Sequence, residues 1–221
     1  MPFDGRMTTK VKICGLKTRE ALDAALDGGA DYVGFVFYPP SPRNVTPGEA
    51  APLADLARGR AAIVALCVDA DDALLSAIVR SVKPDLLQLH GSETPERVSE
   101  IKERYGIAVM KAIKVETTED AAGALAYAGI ADLVLFDAKA PKGLAGALPG
   151  GNGLAFDWRV LEHVKGKVPY MLSGGLTPWN VAEAIRLTGA SEVDVSSGVE
   201  TTPGEKDTGL IAAFLAAAHA A

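Results

Sequence analysis

The sequence contains little cysteine, few aromatic residues and no long apolar run. Of its 221 residues, two are cysteines and 6% are aromatic. The two cysteines, Cys14 and Cys67, lie far apart in the chain. A disulfide framework needs more cysteines, and a zinc motif needs several ligands at short spacings, so the sequence suggests neither. No run approaches the roughly 18 apolar residues that a membrane helix needs, so a membrane partner is not expected. The first residues, MPFDGRMTT, lack the apolar stretch of a signal peptide, and a reducing cytoplasm is the simplest location.

Positive charge is also scarce. The chain has 22 Lys and Arg against 28 Asp and Glu, which gives a net charge of −6. Nucleic-acid binding needs a basic face and is therefore not expected. A small anionic substrate remains compatible with this charge, because backbone N–H groups and helix N-termini bind phosphate without net positive charge.

Short β-branched runs alternate along the chain with Ala- and Leu-rich stretches of helical spacing. Eight strands are predicted, at 11–14, 32–37, 62–68, 86–89, 108–113, 133–136, 169–172 and 192–195. A helix is predicted after each strand, at about 18–28, 47–58, 71–82, 94–105, 117–128, 156–165, 178–188 and 207–220. Eight such units predict a single α/β domain, a (β/α)₈ TIM barrel over residues 10–221, behind a flexible leader at 1–9. An open doubly wound sheet is the alternative, but it would show a glycine fingerprint after the first strand, and CGLKTR is not one.

Two local features refine this outline. A threonine before a proline marks three predicted helix starts, at Thr46, Thr94 and Thr177, since threonine caps and proline suits the first helical position. The connection from Asp137 to Ala155 is long for a compact domain, which indicates a lid, a binding loop or a floppy insertion.

The first strand ends in an unusual pair of side chains. Sites in this fold lie at the carboxyl ends of the strands, and Cys14 ends the first one with Lys12 two residues before it. Strand alternation places both side chains on the same side. An ammonium there favours the thiolate by lowering a pKa that is ordinarily about 8.5, and a thiolate at a site mouth is a base or a nucleophile. The alternative is that Cys14 is a small apolar filler, which is the role predicted for Cys67.

The end of the sixth predicted strand carries a carboxylate. Asp137 follows the apolar run VLF, and no helix begins directly after it, which weakens the interpretation as a helix cap. A structural ion pair is a second interpretation. A carboxyl group shielded by the long loop could instead keep its proton, as a general acid must.

The last two strands are each followed by a glycine-bearing segment, SGGL at 173–176 and SSGV at 196–199. Barrels of this type hold phosphate at that place. Glycine lets the backbone approach an anion closely, and a helix beginning just after would add its N-terminal dipole. Each segment alone is an ordinary turn, but two of them on adjacent strands predict a phosphate site.

Three further polar residues lie near strand ends. Arg43 follows the proline-stiffened turn PPSP, where it suits bidentate binding of a carboxylate, unless it is a solvated surface arginine. His90 follows the fourth strand and either lines the site or is a hydrogen-bonded structural residue. Asp194 lies near the end of the eighth strand.

The motifs of the chain resemble those of a known family, phosphoribosylanthranilate isomerase. They are KICGL, GFVFYPPSPRNV, LQLHG, LFDAKAP, GGNGLAFDW, LSGGLTPWNV and VDVSSGVE, in the family's order and spacing from about Lys10 to the last helix. The resemblance implies a (β/α)₈ barrel of tryptophan biosynthesis that acts on a phosphoribosyl substrate without cofactor or metal. Its reaction would be the Amadori rearrangement of N-(5-phosphoribosyl)anthranilate to 1-(2-carboxyphenylamino)-1-deoxyribulose 5-phosphate. The stretch GLAGALPGG departs from the family pattern by its length.

The same resemblance implies roles for individual residues. The family's general base falls on Cys14, its general acid on Asp137 and the residue that holds the anthranilate carboxylate on Arg43. The phosphate-binding backbone falls on Gly174, Gly175, Ser197 and Gly198, and possible substrate contacts fall on Lys12, His90 and Asp194.

Two other functions stay open at this point. One is the related isomerase of histidine biosynthesis, which resembles this chain less because it has an aspartate where Cys14 stands. The other is a non-catalytic phosphosugar-binding barrel, for which an acid and a thiol at strand ends would have no purpose.

Overall fold

Eight parallel strands pair in chain order and close into a barrel, as the sequence predicts. The computed structural model describes residues 9–139, 150–151, 153 and 155–221. The strands are β1 (Lys10–Cys14), β2 (Tyr32–Phe37), β3 (Ala62–Cys67), β4 (Leu86–Leu89), β5 (Ala108–Val115), β6 (Leu133–Ala138), β7 (Tyr170–Leu172) and β8 (Glu192–Val195). The proposed leader at 1–9, apart from its last residue, and most of the long loop after Asp137 lie outside the described residues.

The helices surround the barrel. They are α1 (Arg19–Asp27), α2 (Pro47–Ala57), α3 (Asp72–Val82), α4 (Pro95–Tyr105), α5 (Thr118–Ala122), α6 (Val181–Thr188) and α7 (Thr208–His219). Thr46 and Thr94 cap their helices as predicted, each hydroxyl accepting from a backbone N–H three residues on. None of the helices in the described residues has the length and apolar character needed to cross a membrane.

Three predicted helices differ from those observed. The helix expected at 117–128 is α5 followed by a 3-10 helix from Gly123, a residue of low helix propensity. The helix expected at 156–165 is only a 3-10 helix, Trp158–His163. α6 begins three residues later than Thr177-Pro178 suggested, because Asn180 closes a turn by accepting from the Thr177 N–H at 2.7 Å.

A short antiparallel hairpin after β8 was not predicted. Its strands are β9 (Glu200–Thr202) and β10 (Glu205–Lys206), joined by Pro203 and Gly204. The strands have three and two residues and no apolar alternation, so the sequence carries no strand signal there. The hairpin stands at the carboxyl-terminal end of the barrel, where it reaches the site described below.

Strand alternation divides the apolar residues into separate clusters. The largest lies between the strands and the helices and includes Ile13, Phe35 and Ile63, all fully buried. A smaller cluster of Met110, Ala112, Leu133, Leu135 and Met171 fills the lower part of the barrel interior. Above it the interior is partly polar, with the side chains of Lys12, Gln88 and Asp194 all buried. A third apolar cluster, Cys14, Val36 and Leu66, lies beside them. The apolar floor thus leaves the carboxyl end of the barrel for chemistry.

At the opposite end of the barrel, three aspartates bind backbone N–H groups of β1, β3 and β5. Asp31, Asp85 and Asp132 each stand directly before the next strand, and each accepts the backbone N–H of a residue near the start of the preceding one. The donors are Val11, Ile63 and Val109, and the distances are 2.8, 2.7 and 2.8 Å. These bonds satisfy amide groups that the ladder leaves unpaired, which is a stabilising role far from the strand ends that form the site.

Asp31→Ala should therefore lower stability without lowering activity. The substitution leaves the N–H of fully buried Val11 without its acceptor, and we expect a loss of about 1–3 kcal/mol in the free energy of unfolding. Urea titration measures the loss, and kcat/KM should stay within about twofold, since the site lies at the other end of the barrel. A large fall in kcat/KM with unchanged stability would contradict this assignment.

Candidate active site

The carboxyl ends of the strands surround a cavity of about 740 Å³ that opens to solvent. All but one of the site residues predicted from the sequence line it: Cys14, Arg43, His90, Asp137, Gly174, Gly175, Asp194, Ser197 and Gly198. The remaining one, Lys12, is fully buried and is not among the lining residues. Within the described residues, no group of three or more His, Cys, Asp and Glu side chains is arranged to hold a metal ion.

Lys12 supports the site from below. Its Nζ donates to Asp194 Oδ1 at 2.8 Å, and Asp194 Oδ2 accepts from the Ser173 hydroxyl at 2.9 Å. The pair forms because β1 and β8 align Lys12 with Asp194 in register. Burial would lower the pKa of Lys12, but the adjacent Asp194 and Cys14 raise it above its ordinary value. Lys12 is therefore a charged residue under the site that orients Asp194. It does not line the cavity, and its possible contact with the substrate stays a prediction.

Cys14 ends β1 with its thiol on the cavity wall and only 3% of the residue exposed. Gly34 of β2 stands beside it in register, and a Cβ there would lie 3.1 Å from Cys14 Sγ and 3.3 Å from Lys12 Cε. The glycine in the middle of β2 therefore leaves the space that both side chains occupy.

The protonation of Cys14 differs from the expectation. Burial raises the pKa of the Cys14 thiol, and Asp194 adds to the rise. The ammonium groups of Lys12 and Lys206 act in the opposite direction but do not reverse it. The sequence suggested a lowered pKa from the proximity of Lys12 alone, and it could not show that the charge of Lys12 is matched by Asp194 or how deeply the thiol is buried.

Asp137 is connected to the floor of the site through a histidine. Gln88 Nε2 lies 3.0 Å from His90 Nδ1, and His90 Nε2 lies 3.2 Å from Asp137 Oδ2. With the amide donating to Nδ1, the imidazole proton is on Nε2 and points at the carboxylate. Asp137 Oδ1 accepts from the Ala138 N–H at 2.9 Å. Both oxygens of Asp137 are thereby oriented, and His90 is a hydrogen-bonded residue that also lines the cavity.

Gln88 is a site residue that the sequence analysis missed. It is fully buried, it lines the cavity, and its Oε1 has no hydrogen-bond partner in the described residues. The signal was present in the strand LLQL, since an amide within a buried apolar run needs a partner or a purpose.

The two glycine-bearing segments lie side by side on the cavity wall. Gly174 and Gly175 have positive φ, at 86° and 65°, and a Cβ on Gly174 would lie 2.5 Å from the Ala138 nitrogen. A Cβ on Gly198 would lie 1.9 Å from the Leu176 oxygen, so the two segments touch there. Glycine is therefore required at positions 174 and 198 because the neighbouring backbone leaves no room for a side chain.

The helix contribution at these two segments differs from the expectation. α6 begins only at Val181, beyond the turn that follows SGGL. A 3-10 helix, Ser197–Val199, does begin within the second segment. The two segments are therefore mainly loops, and neither stands at the start of a long helix.

Arg43 is not a surface arginine, and its guanidinium is already hydrogen-bonded to other residues of the chain. The residue is 4% exposed, and its Nε and Nη2 donate to the two carboxylate oxygens of Glu200, both at 2.8 Å. Nη2 also donates to the Gly151 carbonyl oxygen at 3.1 Å. No motif in the sequence pairs Glu200 with Arg43, because the two residues are 157 positions apart.

The described end of the long loop covers part of the site. A Cβ on Gly150 would lie 2.6 Å from both Asp137 Oδ2 and His90 Nε2, and one on Gly151 would lie 2.6 Å from Arg43 Nη1. Only glycine brings the backbone this close to the acid and to the guanidinium. The predicted lid or binding loop otherwise lies outside the described residues.

Comparison with known proteins identifies what the chain is similar to. A family profile described as N-(5′-phosphoribosyl)anthranilate (PRA) isomerase matches residues 11–217. A curated relative from Rhodopseudomonas palustris (strain BisA53), named N-(5′-phosphoribosyl)anthranilate isomerase, is 58% identical over 220 residues, covering 100% of this chain and 97% of the relative.

Solved structures agree with that match. The phosphoribosyl anthranilate isomerase from Thermotoga maritima superimposes with a TM-score of 0.86 at 34% identity, covering 96% of this chain and 100% of its own. A second structure of such an isomerase, in complex with reduced 1-(o-carboxyphenylamino)-1-deoxyribulose 5-phosphate, gives a TM-score of 0.83 at 33% identity with the same coverage.

The raised pKa of Cys14 leads to a prediction about alkylation. In a Cys67→Ala variant, where Cys14 is the one remaining thiol, the rate of reaction with iodoacetamide should keep rising from pH 7 to beyond about pH 9, because only the thiolate reacts. Mass spectrometry of quenched samples gives the rate at each pH. A rate that is already constant between about pH 7 and pH 8 would mean that Cys14 is a resting thiolate and that its pKa is lowered.

Proposed function

The chain belongs to the N-(5′-phosphoribosyl)anthranilate isomerase family, and we propose that it uses Cys14 as the general base and Asp137 as the general acid of the family's reaction. The reaction is the Amadori rearrangement of N-(5′-phosphoribosyl)anthranilate in tryptophan biosynthesis. The observation that carries the assignment is that one cavity brings together a thiol, a carboxyl group, a glycine-rich cradle and an arginine. Each of these groups matches one part of the substrate or one step of the chemistry.

The two ends of the substrate give the binding part of the proposal. The phosphate is placed against the backbone of Gly174, Gly175, Ser197 and Gly198, and the anthranilate carboxylate near Arg43. Anchoring both ends orients the ribose between them, so that its reacting atoms face Cys14 and Asp137. The bound product analogue of a structural relative carries the same phosphate and carboxylate groups.

The proton transfers follow from that placement. Asp137, in its protonated form, donates to the furanose ring oxygen, and the ring opens to a Schiff base. The thiolate of Cys14 then removes the proton from the ribose C2 carbon, which gives an enolamine that tautomerises to the ketone. Each transfer by a positioned group is worth ~10²–10⁴ in rate.

The surroundings of Cys14 and Asp137 support these roles. Burial and Asp194 raise the pKa of Cys14, so that its thiolate is a strong base when it forms, while Lys12 and Lys206 attract that ionised form and offset part of the rise. The bond from His90 fixes the carboxyl group of Asp137 at the cavity wall. Asp194, held by Lys12 and Ser173, also lines the cavity, and we assign it a contact with a substrate hydroxyl.

We also propose that the protein works in a reducing compartment such as the cytoplasm. A base that is a thiolate must remain reduced, and both Cys14 and Cys67 are free cysteines.

Replacing each cysteine in turn by alanine separates an effect on the chemistry from an effect on packing. Cys14→Ala should fold normally and lose ~10² or more in kcat, because the base is removed. Cys67 is a matched control, since it is also buried and free but faces the apolar cluster between strands and helices, and Cys67→Ala should lose little activity. The measurement is the decay of substrate fluorescence with purified variants. Equal rates for the two variants would exclude Cys14 as the base.

Asp137→Asn tests the acid. The amide keeps the shape of the side chain but cannot donate a carboxylic proton, so kcat should fall by ~10² or more. Affinity for the product, measured by calorimetry, should change by less than about threefold because no proton is transferred in binding. A near-normal kcat would place the general acid elsewhere in the cavity.

A further inference from the structure

The β9–β10 hairpin brings a carboxylate to the arginine of the site. Glu200 is its first residue and directly follows the SSGV segment, and its side chain is 3% exposed. The planar fork formed by Arg43 Nε and Nη2 meets both Glu200 oxygens at 2.8 Å. The edge of the guanidinium that would suit a ligand carboxylate best is therefore already occupied by a residue of the chain.

Two glycines confine the same arginine from other directions. A Cβ on Gly15, at φ +81°, would lie 2.8 Å from Arg43 Cδ, so the aliphatic stem lies directly against the end of β1. A Cβ on Gly151, at φ +72°, would lie 2.6 Å from Arg43 Nη1. Gly15, Gly151 and Glu200 together leave Arg43 little conformational freedom.

A second cation restores the charge that Glu200 removes. Lys206, on the other strand of the hairpin, donates from Nζ to Glu200 Oε1 at 2.6 Å and to the Ser196 carbonyl oxygen at 3.0 Å. Its side chain is 2% exposed. Burial lowers the pKa of Lys206, and Glu200 acts in the opposite direction. While Lys206 is protonated, two cations and one carboxylate leave this buried cluster with one uncompensated positive charge, which a buried site tolerates best when an anion joins it.

The hairpin itself is fastened to the loop that carries Arg43. The Gly204 N–H donates to Glu200 Oε2 at 3.1 Å, and a Cβ on Gly204 would lie 2.5 Å from the Pro42 oxygen. Lys17 Nζ donates to the same Pro42 oxygen at 2.9 Å. The turn between the two short strands thus packs directly beside the proline-rich turn.

We propose that Glu200 and Lys206 are positioning residues of the carboxylate site: Glu200 fixes the guanidinium of Arg43, and Lys206 keeps the cluster positive so that the anthranilate carboxylate binds there. The proposal rests on the assignment of Arg43 to that carboxylate. In the described residues Arg43 Nη1 makes no hydrogen bond, and it is the group left for the ligand.

This arrangement has a physical advantage over a free arginine. A guanidinium on an unrestrained side chain loses rotamer freedom when it binds a ligand, whereas one that is already held does not. The opposite role for Glu200 is also physically possible, since a carboxylate beside Arg43 can compete with the ligand carboxylate. The two roles predict opposite changes in affinity when the charge of Glu200 is removed.

The experiment measures how well each variant distinguishes two ligands. One ligand is reduced 1-(o-carboxyphenylamino)-1-deoxyribulose 5-phosphate, and the other is the same compound without the ring carboxylate. In Arg43→Ala the preference for the carboxylated ligand should fall by about ten- to a hundredfold. In Glu200→Gln it should fall by about tenfold, with a matching rise in KM and less than about threefold change in kcat, since this binding is uniform through the reaction.

Glu93→Gln is the matched control. Glu93 is also a buried glutamate on a buried lysine, with Lys111 Nζ at 3.0 Å, but it does not line the cavity. Its replacement should cost stability without changing the preference for the carboxylated ligand. If Glu93→Gln lost as much preference for the carboxylated ligand as Glu200→Gln, the effect would come from a general loss of rigidity in the barrel. That result would overturn the proposal.

The remaining outcomes are distinguishable. An unchanged or increased preference in Glu200→Gln, with the preference lost in Arg43→Ala, overturns the positioning role but leaves the carboxylate assignment standing. An unchanged preference in Arg43→Ala overturns both. If Glu200→Gln does not fold, Lys206→Gln takes its place in the experiment. This variant makes the cluster neutral but keeps both hydrogen bonds from Arg43 to Glu200. It should lower the preference severalfold, and no change would overturn the proposal.

Discussion

The buried ion pair between Lys12 and Asp194 connects the closure of the barrel to the chemistry of the site. The two residues are aligned where the first strand pairs with the last, so the pair forms only when the barrel is closed. Removing one partner of such a pair costs about 3–5 kcal/mol, because the other charge is left buried and alone. The same pair orients Asp194 towards Ser173 and places a positive charge under Cys14. One contact therefore belongs both to the closure of the barrel and to the wall of the candidate site.

The site works with few charges, and most of them are balanced. Asp194 balances the charge of Lys12. Glu200 balances one of its two cationic partners, Arg43 and Lys206, which leaves a single positive charge near Arg43. The glycine-bearing segments add backbone N–H dipoles without formal charge. The proposed placement of a substrate with two anionic groups is thereby compatible with a net charge of −6. The positive potential is local, and it is shielded from solvent by burial.

The sequence predicts the barrel well because each strand is a separate apolar run and each run ends in a recognisable residue. Cys14, Asp137 and the two glycine-bearing segments could be predicted for the same reason, since strand ends meet at one face of this fold. The partners of Arg43 could not, because Glu200 is 157 residues away and sits on a hairpin too short to have a pattern. The pKa of Cys14 could not either, because it depends on burial and on the balance of three neighbouring charges rather than on the nearest lysine.

The central claim is that Cys14 is the base. It is tested most directly by replacing Cys14 with a residue whose side chain has a different ordinary pKa. Cys14→Asp places a carboxylate at the same strand end, and its ordinary pKa lies about four to five units below that of a thiol. The account predicts that the limb of the pH dependence of kcat/KM that reports residue 14 shifts to lower pH by at least about two units, even if the maximum rate falls. A profile in which neither limb shifts would contradict the account, because the titrating base would then be another group.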